Sequence, residues 1–345
     1  MARYTDEGTR VVIRSIVRSA PGFLVTGISL VLLWHLVPWT PTVALLRTAD
    51  PLFVGLAIAC LVGSLIAKTV RWRLLLPETA PVTTRGLYRI LHISFLLNNV
   101  LPARIGDVAR VAMTSRQPGV RIGHVLSSML TERVTDTVTL LLGFLVVSPF
   151  LPVPAGYEGW RTCAWSVVAV AAVVVALAAL FRARLDALAR SQRVRRRLPA
   201  NERIRLEAAS FAEGFRQLFA RKRVVRIWGW SWTAWVGAFA INYLLMRALN
   251  IDAPFAVAVL LTCTTNLAML LPSSPGAIGV FHLAATASLL PFGVSEARAL
   301  SFAILAHLVN VVPVSLIGAI LLLASREALV PVRMARFAGP PSPEQ

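Results

Sequence analysis

The apolar positions of this chain fall into long runs. Runs with no charge, or nearly none, lie at about 21–38, 51–67, 134–152, 162–181, 227–246 and 299–325. A helix needs about 17 residues or more to cross roughly 30 Å of hydrocarbon, and these runs supply them. Backbone polar groups in lipid must be satisfied within their own segment, so each run predicts a membrane-crossing helix. Two further apolar regions are interrupted. Residues 90–101, ILHISFLLNNVL, would reach only about 18 Å as a helix, too short to cross. The chain then meets Pro102 and Gly106, and a second arm at roughly 108–130 leads into the next crossing. Residues 253–295 hold no Asp, Glu, Lys or Arg but are broken by LPSSPGAIG at 271–279. Both regions read as broken or re-entrant helical hairpins, the first at about 90–130 and the second at about 253–295. The predicted fold is an all-α polytopic membrane protein with about six crossing helices and two such hairpins.

Tryptophans mark several ends of these runs, at Trp34 and Trp39, Trp160 and Trp165, and Trp228, Trp230, Trp232 and Trp235. Such aromatic belts sit at membrane–water interfaces. Basic segments alternate with poor ones. Residues 1–20 are basic, 39–50 hold only Arg47 and Asp50, and 68–89 hold Lys68, Arg71, Arg73, Arg85 and Arg89. Residues 152–160 hold Glu158 and no base, whereas 182–226 hold fourteen Lys/Arg against four acids. Positive loops stay cytoplasmic, so both termini are expected there: a basic N-terminus over 1–20, a transmembrane domain over 21–325 and a tail over 326–345. No small-residue cleavage site follows the run at 21–38, which therefore reads as an uncleaved first transmembrane helix. Within 182–226, Ile204, Ala208, Phe211, Phe215 and Leu218 recur at helical spacing among charges. That pattern fits an interfacial amphipathic helix or a solvated helix packed on the bundle.

Composition agrees with this class. The chain is 57% hydrophobic and 15% charged, against about a quarter charged in soluble domains. Its net charge of +19 raises nucleic acid as a partner. The charges lie between apolar segments rather than on one folded surface, which excludes that reading and points to anionic lipid. Cys60, Cys163 and Cys263 lie far apart in or beside apolar runs and read as buried hydrophobes.

The two hairpins resemble each other. LPARIG (101–106) aligns with LPSSPG (271–276), GV at 119–120 with GV at 293–294, LS at 126–127 with LS at 300–301, and Asp136 with Asn310. Asparagine precedes both prolines, at Asn98 and Asn99 and at Asn266. Three predicted crossings separate the hairpins, so the two enter from opposite sides. Inverted repeats with broken helices meeting near the midplane are a transporter design, with a polar cavity between the halves.

Candidate chemistry gathers there. Arg104, Asp107 and Arg110 follow the first tip; Asp107 and Arg110, three apart, are expected to pair and leave Arg104 as the freer cation. An arginine fork beside a helix N-terminus suits a phosphate. In TERVTD (131–136), Glu132 and Asp136 share a face and Arg133 is placed to reach Asp136. At the second tip Ser273, Ser274 and Gly276 offer hydroxyl and backbone donors. Asn266, His307 and Asn310 are polar positions on apolar helices, and His282 reads as a packing residue. No nucleophile elbow, Gly-rich phosphate loop or zinc spacing occurs, so no cofactor or metal is expected. The longest polar segment is too short for a catalytic domain, so no enzymatic activity of the chain's own is expected.

Taken in order, NNVLPARIGDVARV, ERVTD and LPSSPGAIGVFHLAATASLLPFGVSEARAL resemble the flippase-like membrane domain family. This family comprises the N-terminal half of lysylphosphatidylglycerol synthases and their stand-alone bacterial and archaeal relatives. The resemblance spans about residues 20–325, with Asn99, Pro102, Arg104, Gly106, Glu132, Arg133, Asp136, Pro272, Pro275, Gly276 and Gly279 at patterned positions. It departs from the pattern at Asp107 and His282. The resemblance implies a multi-pass protein of the bacterial inner membrane that moves a lipid or lipid-linked group between leaflets. A phosphatidylglycerol or phosphatidylinositol derivative and a polyprenyl phosphate all present the required phosphate. The lysyl-transfer half of the synthases has no counterpart here. Two other readings compete: a non-transporting scaffold whose partner is a lipid-modifying enzyme or glycosyltransferase, and a membrane-embedded enzyme using Glu132 or Asp136 as base.

Overall fold

The computed structural model describes residues 39–101, 104–151, 202–217, 221–269 and 275–324, with isolated helical positions at Ile28, Val31, His35, Ala169 and Val173. Apart from those positions, the crossings expected at 21–38 and 162–181 lie outside the described residues, as do both termini. Every described element is helical: α1 (Trp39–Arg47), α2 (Pro51–Leu75), α3 (Thr84–Val100), α4 (Ile105–Ser115), α5 (Ile122–Val147), α6 (Glu202–Gln217), α7 (Arg221–Ala248), α8 (Phe255–Ala268), α9 (Val280–Leu289) and α10 (Glu296–Leu323), with three 3₁₀ turns. Pro51–Leu75, Ile122–Phe150 and Glu296–Leu323 are long and apolar enough to cross a membrane.

Local chemistry sets the boundaries. Asp50 caps α2 by accepting from the Leu52 N–H at 2.8 Å, and Pro51 occupies the first helical position. Thr83 caps α3 by accepting from Gly86 N at 3.1 Å. That cap corrects the expected first arm. It begins at Thr84, not 90, and its 17 residues rise about 26 Å, because Arg85 and Arg89 belong to the helix rather than to a loop. The second arm is also corrected. α4 ends at Ser115, a turn follows through Gly119, and α5 then runs unbroken from Ile122, so the crossing expected at 134 starts about three turns earlier. Residues 68–75, expected in a basic loop, form the last two turns of α2. The expected outer loop at 39–50 contains α1.

The elements follow one order twice. A long helix, two short ones and a long one (α2, α3, α4, α5) recur as α7, α8, α9, α10. Packing follows the same exchange: α2 lies along α7, α3 packs on α10 as α5 packs on α8, and α4 meets α5 as α9 meets α10. The main core fills the space between these elements, with Leu61, Phe144, Leu245, Leu261, Leu289 and Phe302 among its buried members. A second cluster around Trp72, Leu76, Leu87 and Leu91 seats the start of α3. In the first hairpin α4 folds back onto α3 at Gly106, where a Cβ would collide with the Ser94 carbonyl and the Asn98 side chain. The amphipathic helix predicted in the basic segment is α6. It packs on the first half of α5, where Glu207 Oε2 accepts from Gly123 N at 2.7 Å. Of the two readings of that helix, packing on the bundle is the one observed.

A buried charge cluster beneath two meeting hairpin tips

The site is built first from α2. Lys68, Arg71 and Trp72, at i, i+3 and i+4, lie on one helical face near its end. On α5, Glu132 and Asp136 share a face for the same reason. Between the two helices α4 delivers Arg110. The Arg110 guanidinium engages Glu132 with two bonds, Nη2 to Oε2 at 2.6 Å and Nη1 to Oε1 at 3.3 Å. It also lies 3.7 Å over the Trp72 ring, a cation–π contact strengthened by desolvation. Arg71 Nη1 donates to Asp136 and, at 3.1 Å, to Ser231 Oγ, while its Nη2 lies 3.8 Å from Glu132. From α7, Trp235 Nε1 donates to Asp136 at 2.9 Å. Arg71 is 0% and Arg110 2% exposed, so two cations and two anions are balanced within the bundle. Lys68 approaches from one side, its Nζ 5.2 Å from the Trp235 ring centroid.

This geometry corrects two expected pairings. Arg110 does not pair with Asp107, because α4 turns it inward to a half-buried carboxylate that accepts both its N–H groups. Arg133 does not pair with Asp136; it points outward, its side chain 57% exposed, and stands 3.8 Å from Asp107. Asp107 also accepts from Asn98 Nδ2 at 3.1 Å, forming a second, more open layer. Arg110 therefore spends two N–H groups on Glu132, and Arg104 and Arg133 are the exposed guanidinium groups described at this end of the hairpin.

The two tips touch. Arg104 adopts a left-handed conformation (φ 52°, ψ 41°), unusual outside glycine, and its exposed side chain donates to the Met269 carbonyl at the end of α8 at 2.8 Å. Arg104 is accessible but engaged, not free as expected. On the other side Gly276 (φ 68°) approaches the Asn99 carbonyl and the His307 ring. Asn99 Nδ2 donates to Ser315 Oγ at 3.0 Å, fixing the end of α3 to α10. His282 and His307 stack with ring centroids 4.8 Å apart. Asn266 and Asn310 bond back to carbonyls of their own helices, at Thr262 and Ala306. Ser273 and Ser274 lie outside the described residues. Among the described residues no group of three or more His, Cys, Asp or Glu side chains is arranged to hold a metal.

Sequence reasoning missed Arg71, Lys68, Trp72, Trp235 and Ser231. Their signal was present in the helical spacing of 68, 71 and 72, but it was hidden within a basic run. His282 was read as packing alone, and its partner lies 25 residues away on another helix.

Comparison with known proteins places this architecture. The chain is 28% identical over 327 residues to Glycosyltransferase AglD of Haloferax volcanii, covering 84% of this chain and 51% of that protein. It therefore spans about half the length of AglD. It is 24% identical over 330 residues to the UPF0104 membrane protein PH1989 of Pyrococcus horikoshii, covering 89% of this chain and 97% of that one. The family described as lysylphosphatidylglycerol synthase TM region matches residues 22–318. The chain is a membrane protein and belongs to the lysylphosphatidylglycerol synthase transmembrane-region family.

Proposed function

We propose that this protein translocates a phosphate-bearing lipid, or a lipid-linked head group, between the leaflets of a bacterial inner membrane. The observation that carries the reading is the meeting of two broken hairpins, with an exposed arginine bridging their tips at the start of the helix that carries Arg110 into the charge cluster. Irregular backbone at membrane depth is tolerated where it is buried in protein or lines a polar cavity. The recurring order of elements and their exchangeable packing support a repeat. With the hairpins entering from opposite sides, that repeat supplies alternating access by rocking of its halves.

The roles follow from accessibility. Arg104 and Arg133 contact the phosphate, with Asn98, Asn99 and Gly276 lining the approach, and acyl or prenyl tails stay in the bilayer. Asp107 orients Arg133. Arg71, Arg110, Glu132 and Asp136 hold α2, α4 and α5 in register and act as positioning residues. Asn266, His307 and Asn310 complete the polar lining on that side.

One observation favours a second reading. A relative named as a glycosyltransferase shares only half its length with this chain, so the shared part fits a membrane scaffold beside another activity. A leaflet-accessibility assay separates the two. Purified protein in liposomes with labelled anionic lipids and polyprenyl phosphates should move one of them, and Arg104→Gln should reduce movement at least about tenfold, the loss of one charge-assisted phosphate contact. Movement of none by the folded protein favours the scaffold.

A further inference from the structure

The second hairpin, residues 253–295, carries no Asp, Glu, Lys or Arg, yet its His282 stacks on His307 of α10. We propose that His282 and His307 form a single-proton site whose occupancy is linked to an anionic head group at the second tip; the identity of that head group as a transported lipid rests on the translocator reading.

The geometry limits the pair to one proton. The rings stack at 4.8 Å with an interplanar angle of 29°. Phe281 stands edge-on to both, at 5.9 and 5.2 Å, and covers one side of the pair. Two positive charges at that spacing in a half-buried site repel strongly. The two rings are not equivalent. His282 Nδ1 accepts from the Gly279 backbone N–H at 3.3 Å, at the start of α9. Protonating that nitrogen breaks the bond and places positive charge at a helix N-terminus, where it is disfavoured. Among the described residues no hydrogen bond so constrains His307, and its Nε2 lies near Gly276 at the tip. The proton therefore belongs on His307, with neutral His282 stacked against it.

The surroundings decide what that proton does. Among the described residues no carboxylate is within ion-pairing distance of either ring. α8 and α9 contain no Asp, Glu, Lys or Arg. On α10 the nearest charges, Glu296 and Arg298, are about three turns away. α3 brings Asn99 toward the tip, while its Arg85 and Arg89 lie in its first turns. Arg104 of the first tip is held by Met269. α1, α2 and α7 also pack on α10. Their Lys68 and Arg71 belong to the charge cluster, Arg73 and Arg223 bond at Pro77 and Glu78, Arg247 pairs with Asp252, and Arg47 and Arg226 are exposed. Among the described residues, proton uptake thus creates a positive charge at the tip with no carboxylate to compensate it. A phosphate there binds more tightly when the pair is protonated and, by linkage, tightens the proton in return. Head group and proton then travel together.

The test is an NMR titration of the imidazoles in the full chain, labelled on histidine and held in lipid nanodiscs. Nanodiscs of phosphatidylcholine alone are compared with ones containing phosphatidylglycerol. His124 on α5 serves as the control for bilayer surface charge, and His92, fully buried on α3, reports that each variant is folded. The expected result is one protonation step reported by both rings. Relative to His124, phosphatidylglycerol should strengthen it roughly fivefold or more, the lower range of coupling between sites. His307→Gln should abolish the lipid-sensitive step, and His282→Gln should leave His307 titrating alone. Two independent titrations, or a step indifferent to phosphatidylglycerol, overturn the proposal. A liposome assay under an imposed pH gradient keeps the two readings apart. Lipid movement that ignores the gradient and survives His307→Gln overturns the proton site and leaves the translocator standing. A shared, lipid-sensitive proton in a protein that moves no lipid does the reverse.

Discussion

Neutralising Glu132 while keeping its shape removes the partner that Arg110 engages with two bonds and that Arg71 approaches at 3.8 Å. Both guanidinium groups are buried, and a stranded buried charge is more costly than the pair is favourable. Glu132→Gln should therefore destabilise the protein by about 3–5 kcal/mol, measured as a lowered thermal unfolding midpoint in detergent. Arg110→Gln combined with Glu132→Gln should cost less than the sum of the two single changes, because each removes the other's unpaired charge. Additive losses would show that the two side chains act separately. The carboxylate face of this cluster was legible in the sequence, since residues 132 and 136 must share one side of a helix. The cation was not. Arg71 sits among Lys68, Arg73, Arg85 and Arg89, where charge counting reads a loop, and only packing separates the inward arginine from its neighbours. Arg110 was legible as a paired arginine but not in its partner. The spacing to Asp107 permits a pair, and the half-buried Glu132 on another helix wins it.

At the scale of elements, the fold-back of α4 on α3 depends on bare backbone at Gly106. Gly106→Ala should force the two helices apart, lengthen the Asn98–Asp107 bond and cost about 1–3 kcal/mol, as overpacking does. Gly63→Ala, on α2 with open space around it, should stay within about 0.5 kcal/mol and is the matched control. Equal effects at the two positions would rule out the close approach. A second joint holds α6. Glu207→Gln weakens its bond to the Gly123 N–H and should raise hydrogen exchange across α6, by a local loss of about 1.5–3 kcal/mol for a charged hydrogen bond. Apolar periodicity located α6 and both hairpins. It misplaced the start of the first arm because Arg85 and Arg89 look like loop residues. The Thr83 cap and the apolar cluster around Leu87 and Leu91 overrule them.

For the whole molecule, the decisive relation is the one between its two halves. Each half runs long helix, short hairpin, long helix, and every main packing partner in one half has a counterpart in the other. The residue matches that first suggested a repeat are sparse, since lipid-facing and packed apolar positions exchange freely. The matched breakers Pro102 and Gly106, opposite Pro272 and Gly276, are what survive in the sequence. An inverted relation makes a prediction that a parallel one does not. Arg116 lies in the turn between α4 and α5, and Glu296 begins α10 after the corresponding turn; both are exposed. In a chain with Cys60, Cys163 and Cys263 replaced by serine, single cysteines at these two positions should react with a membrane-impermeant thiol reagent from opposite faces. Positive-inside counting puts Arg116→Cys on the cytoplasmic face and Glu296→Cys on the outer one. Labelling of both from one face would make the halves a parallel repeat. The two tips would then descend from the same side, and rocking about a fixed central site would no longer expose it to each leaflet in turn.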